Sequence, residues 1–314
     1  MSPSIQQALP CSSRLPCFRR ERGAQITFAV VGRNEATTLA RALQAAQEAA
    51  SPGDEVIFVD SSSEDDSLCI AESMGVRAVR APAGKGRAMA CALAETTTPY
   101  ICFIDADIYG SSRNIPAALG EAVRRSRPDM VVGSFEDEQG GVPSVTLGVY
   151  EPLVRALFPE AADKYAKKPL SGFRALRTGQ ALGQLPPGFG VEAHLNIASA
   201  LRPGARIETV DLGLYRGRFL YKPRMGEAVG RAILDLAQAH GRLQPGLRAP
   251  WDAWLATVTD HIATYTGDVV SREAFRASLL ELTARALPSA TRPRAASGLG
   301  PARQRGCARH DRQP

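Results

Sequence analysis

The sequence contains no apolar run approaching the roughly 18 residues needed to span a bilayer, and its first residues lack the apolar core of a secretory signal. Both absences point to a cytoplasmic protein with no integral membrane segment. Its six cysteines, Cys11, Cys17, Cys69, Cys91, Cys102 and Cys307, form no Cys-x-x-Cys pair and no metal-ligand spacing. Reduced thiols of an intracellular chain fit that usage. Zinc-finger, helix-turn-helix and RNP patterns are missing, so no nucleic-acid partner is expected. The Gly-x4-Gly-Lys-Ser/Thr spacing of a phosphate-binding P-loop does not occur, and no internal repeat is present.

What is present is ordinary globular material: 314 residues, 44% hydrophobic and 22% charged. The formal charge of +6 owes much to the Arg-rich stretch Thr291–Arg312. Residues 1–25 mix Ser, Pro and Arg without periodicity and read as a flexible lead-in, while 288–314 read as a disordered basic tail. Between them, β-branched apolar runs at Ile26–Val31, Val56–Asp60, Val76–Val79, Tyr100–Ile104 and Met130–Val132 alternate with helical patterns at Glu35–Ala50, Glu64–Met74 and Lys85–Glu95. This alternation predicts an α/β fold with a mostly parallel central sheet flanked by helices. A further strand is predicted over Ile207–Leu214, and amphipathic helices over Glu227–His240, Trp251–Tyr265 and Arg272–Ala286. These last offer surfaces for packing, a lid or homodimerisation. The predicted division is a catalytic domain over 26–225, whose halves 26–135 and 136–225 serve nucleotide and acceptor, then a helical extension over 226–287.

In open α/β sheets ligands bind beyond the carboxyl ends of the strands. Polar residues gather at those ends: Gly32 to Glu35, Asp60 to Ser63, and Asp105 with Asp107. The run Tyr100-Ile-Cys-Phe-Ile-Asp-Ala-Asp107 ends a buried strand in two carboxylates, which is costly unless something offsets their desolvation. A Mg²⁺ or Mn²⁺ ion does so, taking hard oxygen ligands from one or two carboxylates together with substrate phosphates and water. Ser63 followed by Asp66 suits a helix N-cap. Asp60 has no such local role and is placed to accept hydrogen bonds from a ribose or base. Gly84-Lys85-Gly86-Arg87 brings permissive backbone and cations to the start of a helix, where phosphate is favoured.

The succession Gly32-Arg-Asn34-Glu35, Asp60-Ser-Ser-Ser63, Gly84-Lys85-Gly86 and Asp105-Ala-Asp107 resembles the nucleotide-binding half of GT-A glycosyltransferases of the family 2 kind. Pro169-Leu-Ser-Gly-Phe-Arg174, Gly188-Phe-Gly-Val-Glu192 and Asp211-Leu-Gly213 are similar to glucosyl-3-phosphoglycerate synthases and their mannosyl relatives. The resemblance spans about Ile26 to Arg224. It implies UDP-sugar contacts from Asn34, Glu35, Asp60, Ser62 and Lys85, and metal ligation by Asp107 with Asp105 beside it. It also implies an acceptor pocket around Ser171, Gly172 and Phe173, and a donor-sugar or acceptor role for Glu192.

One departure stands out. Where that family carries a metal-binding His after the Asp-Leu-Gly strand, this chain reads Tyr215-Arg216-Gly217-Arg218. Arg216 and Arg218, with Lys222 and Arg224, could clamp the diphosphate, since guanidinium forks suit phosphate oxygens; a solvated basic loop is the alternative. His194 reads as a satisfied structural histidine, and Lys164–Lys168 as a solvated face. The Gln-x-x-Arg-Trp segment of processive relatives does not occur.

The expected activity is metal-dependent transfer of a sugar from a UDP-sugar to a hydroxyl of a small polar acceptor, such as a phosphorylated hydroxy acid or a specialised-metabolite intermediate, with retention at the anomeric carbon. The alternatives are an inverting transferase acting on a polyprenyl phosphate at the membrane surface and a non-catalytic nucleotide-sugar-binding protein.

Overall fold

The computed structural model describes residues 24–137, 142–165, 167–217, 224–265 and 271–286. The lead-in before residue 24, the tail after residue 286, Arg218 and Lys222 lie outside the described residues.

Eight strands form one mixed sheet: β1 (Ile26–Gly32), β2 (Glu55–Asp60), β3 (Arg77–Arg80), β4 (Tyr100–Asp105), β5 (Ile108–Ser111), β6 (Met130–Asp137), β7 (Arg174–Arg177) and β8 (Ile207–Gly217). Their order across the sheet is β3-β2-β1-β4-β7-β6-β8-β5. β1 runs parallel to both β2 and β4, and β2 parallel to β3. β7 inserts antiparallel between β4 and β6. β6 and β8 pair in parallel, and β5 folds back antiparallel on β8. The expected parallel half is therefore present, and β7 and β5 are the strands whose short, Arg- or Gly-containing sequences gave no strand signal.

Helices α1 (Leu39–Ala49), α2 (Ser67–Ser73), α3 (Lys85–Glu95) and α4 (Ile115–Ser126) make the crossovers of the first half. β1 is the central strand of that half, covered on both faces, so six consecutive residues from Ile26 to Val31 are buried without alternation. One face packs Phe28, Val30 and Phe58 against Leu39, Leu43 and Leu119. The other packs Ala29, Ile57 and Phe103 against Met89 and Leu195.

Two helices begin later than their apolar periodicity predicts, because side chains capture the preceding backbone. Before α1, Asn34 takes a left-handed conformation (φ +57°), and the amides of Glu35 and Ala36 donate to Ser67 Oγ (3.1 Å) and Asp65 Oδ2 (2.9 Å). Before α2, Asp65 Oδ1 accepts from the Ser67 amide at 3.0 Å, so the helix opens at Ser67 rather than at Glu64. Ser63 is not its N-cap; its hydroxyl instead accepts from the Asn34 amide at 2.9 Å.

The second half contributes a π-helical turn at Thr146–Tyr150, then α5 (Glu151–Leu157), α6 (Pro159–Ala162), α7 (Val191–Ala200), α8 (Met225–Ala239), α9 (Arg248–Ala263) and α10 (Arg272–Ala286). The last three share one core with the others: Val149, Leu153 and Phe158 meet Ile197, Ile233, Trp251, Val258 and Leu279. Burying the two tryptophans, Trp251 and Trp254, at 5.7 Å edge-to-face dominates that core. The helices after residue 225 thus buttress α7 rather than stand apart from it.

Candidate active site

β1 leads through α1 to β2 on one side, while β4 adds on the other, so the crevice between the ends of β1 and β4 is a topological switch point. Asp105 lies there in register with Val31, and the Ala106 amide donates to Val31 O at 3.0 Å. A cavity of about 240 Å³ opens over this point, walled by Gly32 at the end of β1 with Arg33 and Glu35 beyond it, Ser61 just past β2, Gly84 and Lys85 at the start of α3, Asp105 at the end of β4 with Asp107 beyond it, and Gly188 with Phe189.

Lys85 is the electrostatic centre. Its Nζ lies 2.9 Å from Asp105 Oδ1 and 2.7 Å from Glu192 Oε1. Burial alone would lower its pKa, but the two carboxylates outweigh that penalty and hold it above the ordinary lysine range. Glu192, 3% exposed, sits in the first turn of α7, where the helix dipole favours its charge. Residues 85, 105 and 192 come from three distant parts of the chain, and the fold assembles them into one ion-paired triad.

Two close approaches permit this. A Cβ at Gly86 would lie 1.8 Å from Pro186 O, so only glycine lets the Pro186-Pro187 segment rest on the first turn of α3. The Arg87 amide donates to Pro187 O at 3.2 Å across that contact. At Gly172 a Cβ would lie 2.1 Å from Asp105 Oδ2, so the turn before β7 presses against the Asp105 carboxylate from behind.

The remaining expected residues fall into distinct places. Asp60 is buried and its Oδ1 accepts from the Ser63 amide at 3.0 Å; Ser62 is left-handed (φ +62°) and donates to Ala81 O at 3.0 Å. Neither walls the cavity, whereas Ser61 does, with its hydroxyl accepting from the Gly84 amide at 2.9 Å. Asn34 braces the loop by accepting from the Glu64 amide at 2.7 Å. Ser171 is buried, and its hydroxyl accepts from the Phe173 amide at 3.2 Å. Phe173 packs in an aromatic trio with Phe135 (5.9 Å) and Tyr215 (5.2 Å). Tyr215 in turn donates to Asp107 O at 3.4 Å, and burial followed by the Asp107 and Asp105 charges pushes its phenol pKa up. Arg216 lies opposite Gly110 on the exposed end of β8.

One residue of the Lys164–Lys168 cluster departs from a solvated face. Lys164 and Lys167 are exposed, but Lys168 is half-buried with its Nζ 5.0 Å from the Phe135 ring centre. Burial lowers its pKa, partly opposed by Asp137. His194 is buried as expected for a structural residue, with Nε2 2.6 Å from Leu182 O. Arg33, Ser61 and Phe189 lie inside the motifs read from the sequence but carry no individual role in that reading, and neither does Arg174, whose burial no local pattern signals.

Asp105 and Asp107 both line the cavity, and hard carboxylate oxygens are a donor set that suits Mg²⁺ or Mn²⁺. Among the described residues no group of three or more His, Cys, Asp or Glu side chains is placed to hold an ion. Among those residues no helix is long and apolar enough to cross a membrane.

Residues 27–175 match glycosyl transferase family 2. The structure resembles glucosyl-3-phosphoglycerate synthase of Mycobacterium tuberculosis solved with Mn²⁺, UDP-glucose and phosphoglyceric acid: 27% identity, TM-score 0.61, covering 69% of this chain and 80% of that one. The same enzyme with Mg²⁺ and UDP aligns at 28% identity and TM-score 0.61, covering 69% and 80%. Its complex with Mn²⁺, UDP and glucosyl-3-phosphoglycerate aligns at 27% identity and TM-score 0.61, covering 71% and 82%. No curated protein sequence matches the chain. The switch-point crevice, the aspartates at and just beyond the end of β4 and these likenesses agree: the chain is a glycosyltransferase built on the GT-A fold, with its residues 27–175 similar to family 2.

Proposed function

We propose that the chain moves a sugar from a UDP-sugar to a hydroxyl of a small polar acceptor, with Mg²⁺ or Mn²⁺ required. The observation that carries this reading is Lys85 with Asp105 and Asp107 in the switch-point cavity, the lysine being also ion-paired to Glu192. The synthase complexes with UDP-glucose and Mn²⁺ support the choice of donor and metal.

Asp107, with Asp105 beside it, would hold the ion, which when bound neutralises charge on the departing diphosphate. Lys85 supplies a fixed cation at the same place, already desolvated and oriented by two carboxylates, so no reorganisation is needed as charge develops. Glu192 fixes the lysine through its own ion pair. Because its carboxylate is committed to Lys85 at 2.7 Å, we assign it to orienting the sugar and acceptor rather than to deprotonating the acceptor. That assignment favours retention, with the leaving phosphate taking the acceptor proton.

The test is UDP release from UDP-glucose, UDP-galactose and UDP-N-acetylglucosamine with and without Mn²⁺, in the wild type and in Asp107→Asn. We expect metal-dependent release that falls on the order of 100-fold in the variant at unchanged melting temperature. Metal-independent release, or a variant within about threefold of wild type, refutes the assignment. A product of inverted anomeric configuration by NMR would refute retention alone.

A further inference from the structure

Arg174, the first residue of β7, is fully buried. Its guanidinium lies in no ion pair among the described residues, yet each of its nitrogens has an acceptor. Nε donates to Ser171 O at 3.1 Å, and Nη2 donates to Ser171 O and to Pro169 O at 3.3 Å. Nη1 donates to Asn196 Oδ1 at 3.1 Å and to Glu192 O at 3.4 Å. Asn196 closes the circuit, donating to Pro169 O at 2.8 Å and to Tyr150 Oη at 3.1 Å.

These acceptors belong to two segments that both end at the reacting groups. The Pro169–Ser171 turn leads into Gly172, which presses on Asp105. The first turn of α7 carries Glu192, and Asn196 lies one turn further along the same helix. Burial opposes the Arg174 charge, and the Glu192 carboxylate is the charge that opposes burial most. Removing the guanidinium would take a donor from each of these buried acceptors, at roughly 1–3 kcal/mol for a group left unsatisfied, so an effect on stability is expected and has to be measured apart from any effect on rate.

We propose that Arg174 is a positioning residue of the transfer reaction: it locks the turn behind Asp105 to the helix turn carrying Glu192, so that the two carboxylates flanking Lys85 keep a fixed separation. This rests on the transferase reading above. Lys85 can bridge Asp105 and Glu192 only while that separation holds.

The experiment is a double-mutant cycle on sugar transfer, with Arg174→Met and Arg174→Lys made in the wild type and in Glu192→Gln, and unfolding followed in parallel. In the wild-type background, Arg174→Met is expected to lower kcat on the order of 100-fold while KM for the UDP-sugar moves less than about threefold. Arg174→Lys, which keeps the charge and part of the bonding, should recover about tenfold of that. In Glu192→Gln the methionine variant should cost less than about threefold, because the residue acts through a carboxylate already disabled. Equal fractional losses in both backgrounds, or wild-type kcat in Arg174→Met, overturn the inference. Should Arg174→Met fail to fold, Asn196→Ala cuts the amide links while keeping the arginine, and the same non-additivity with Glu192→Gln is required of it. Wild-type protein that releases no UDP from any UDP-sugar refutes the transferase reading, and this inference with it. A wild type that turns over while the cycle is additive refutes this inference alone.

Discussion

Gly172→Ala tests how tightly the site is built, because a single methyl group would enter the space of the Asp105 carboxylate. Its Cβ would lie 2.1 Å from Asp105 Oδ2 and 2.6 Å from both Cγ and Oδ1, where ordinary contact begins near 3.4 Å. The φ of Gly172 is not positive, so the substitution adds no backbone strain and the collision is its main effect. One side must give by about 1.3 Å, and the Asp105 side chain can rotate more readily than the backbone of a turn tied down by Arg174. Rotation breaks the 2.9 Å contact between Asp105 and Lys85 and moves the carboxylate off the cavity wall it shares with Asp107. A misplacement of that size costs on the order of 100-fold in rate, equivalent to about 2.7 kcal/mol of transition-state stabilisation. Overpacking itself costs roughly 1–3 kcal/mol of stability, which a folded domain survives. Initial rates of UDP release at saturating Mn²⁺, together with urea unfolding, separate the two effects. Gly246→Ala is the control, since a Cβ there meets nothing within 4 Å and the residue lies far along the chain in the turn Pro245–Leu247. A Gly172→Ala enzyme within about threefold of wild type would show that Asp105 does not need its observed position.

Two further perturbations address the surroundings of the site. In Gly86→Ala the added Cβ meets the Pro186 carbonyl at 1.8 Å, and a backbone atom cannot rotate away; we expect about 2–3 kcal/mol of lost stability and a raised KM for the UDP-sugar, read by unfolding and steady-state kinetics. His194 has its pKa lowered from 6.5 by burial, with the Leu182 carbonyl partly opposing that shift. Protonation therefore favours the unfolded chain: the contribution is complete above about pH 6.5 and is lost as pH falls through the lower folded-state value. Melting temperature should decline across that window in the wild type, and His194→Gln should flatten the slope.

The first half of the fold was legible because its signals are local. β1, β2 and β4 are buried on both faces and therefore read as continuous apolar runs, and α3 appears with the bounds its pattern predicts. β5 and β7 were not legible. Each is four residues long, and β7 begins with an arginine whose burial depends on carbonyls donated by segments that are not neighbours in the strand. The late starts of α1 and α2 were hidden for a related reason: Asp65 and Ser67 outcompete the helix for backbone amides, and which amides they reach is decided by the fold.

At the site the same distinction holds between residue type and juxtaposition. A strand ending in Asp105-Ala-Asp107 announces itself, since two carboxylates at the edge of a buried strand need a reason to be there. That Lys85 would stand between Asp105 and Glu192 is not deducible from spacing, because 20 residues separate the first pair and 107 the second, and only the closed sheet brings them within 3 Å. Lys168 shows the converse error. Grouped with Lys164 and Lys167 it reads as a solvated face, yet Phe135 on β6 comes under its ammonium and it is half-buried where they are exposed. A cation over an aromatic face and out of bulk water keeps its attraction for anions at reduced screening. The aromatic trio of Phe135, Phe173 and Tyr215 therefore does more than fill space: it carries a half-buried charge on one side and, through the Tyr215 hydroxyl, supports Asp107 on the other.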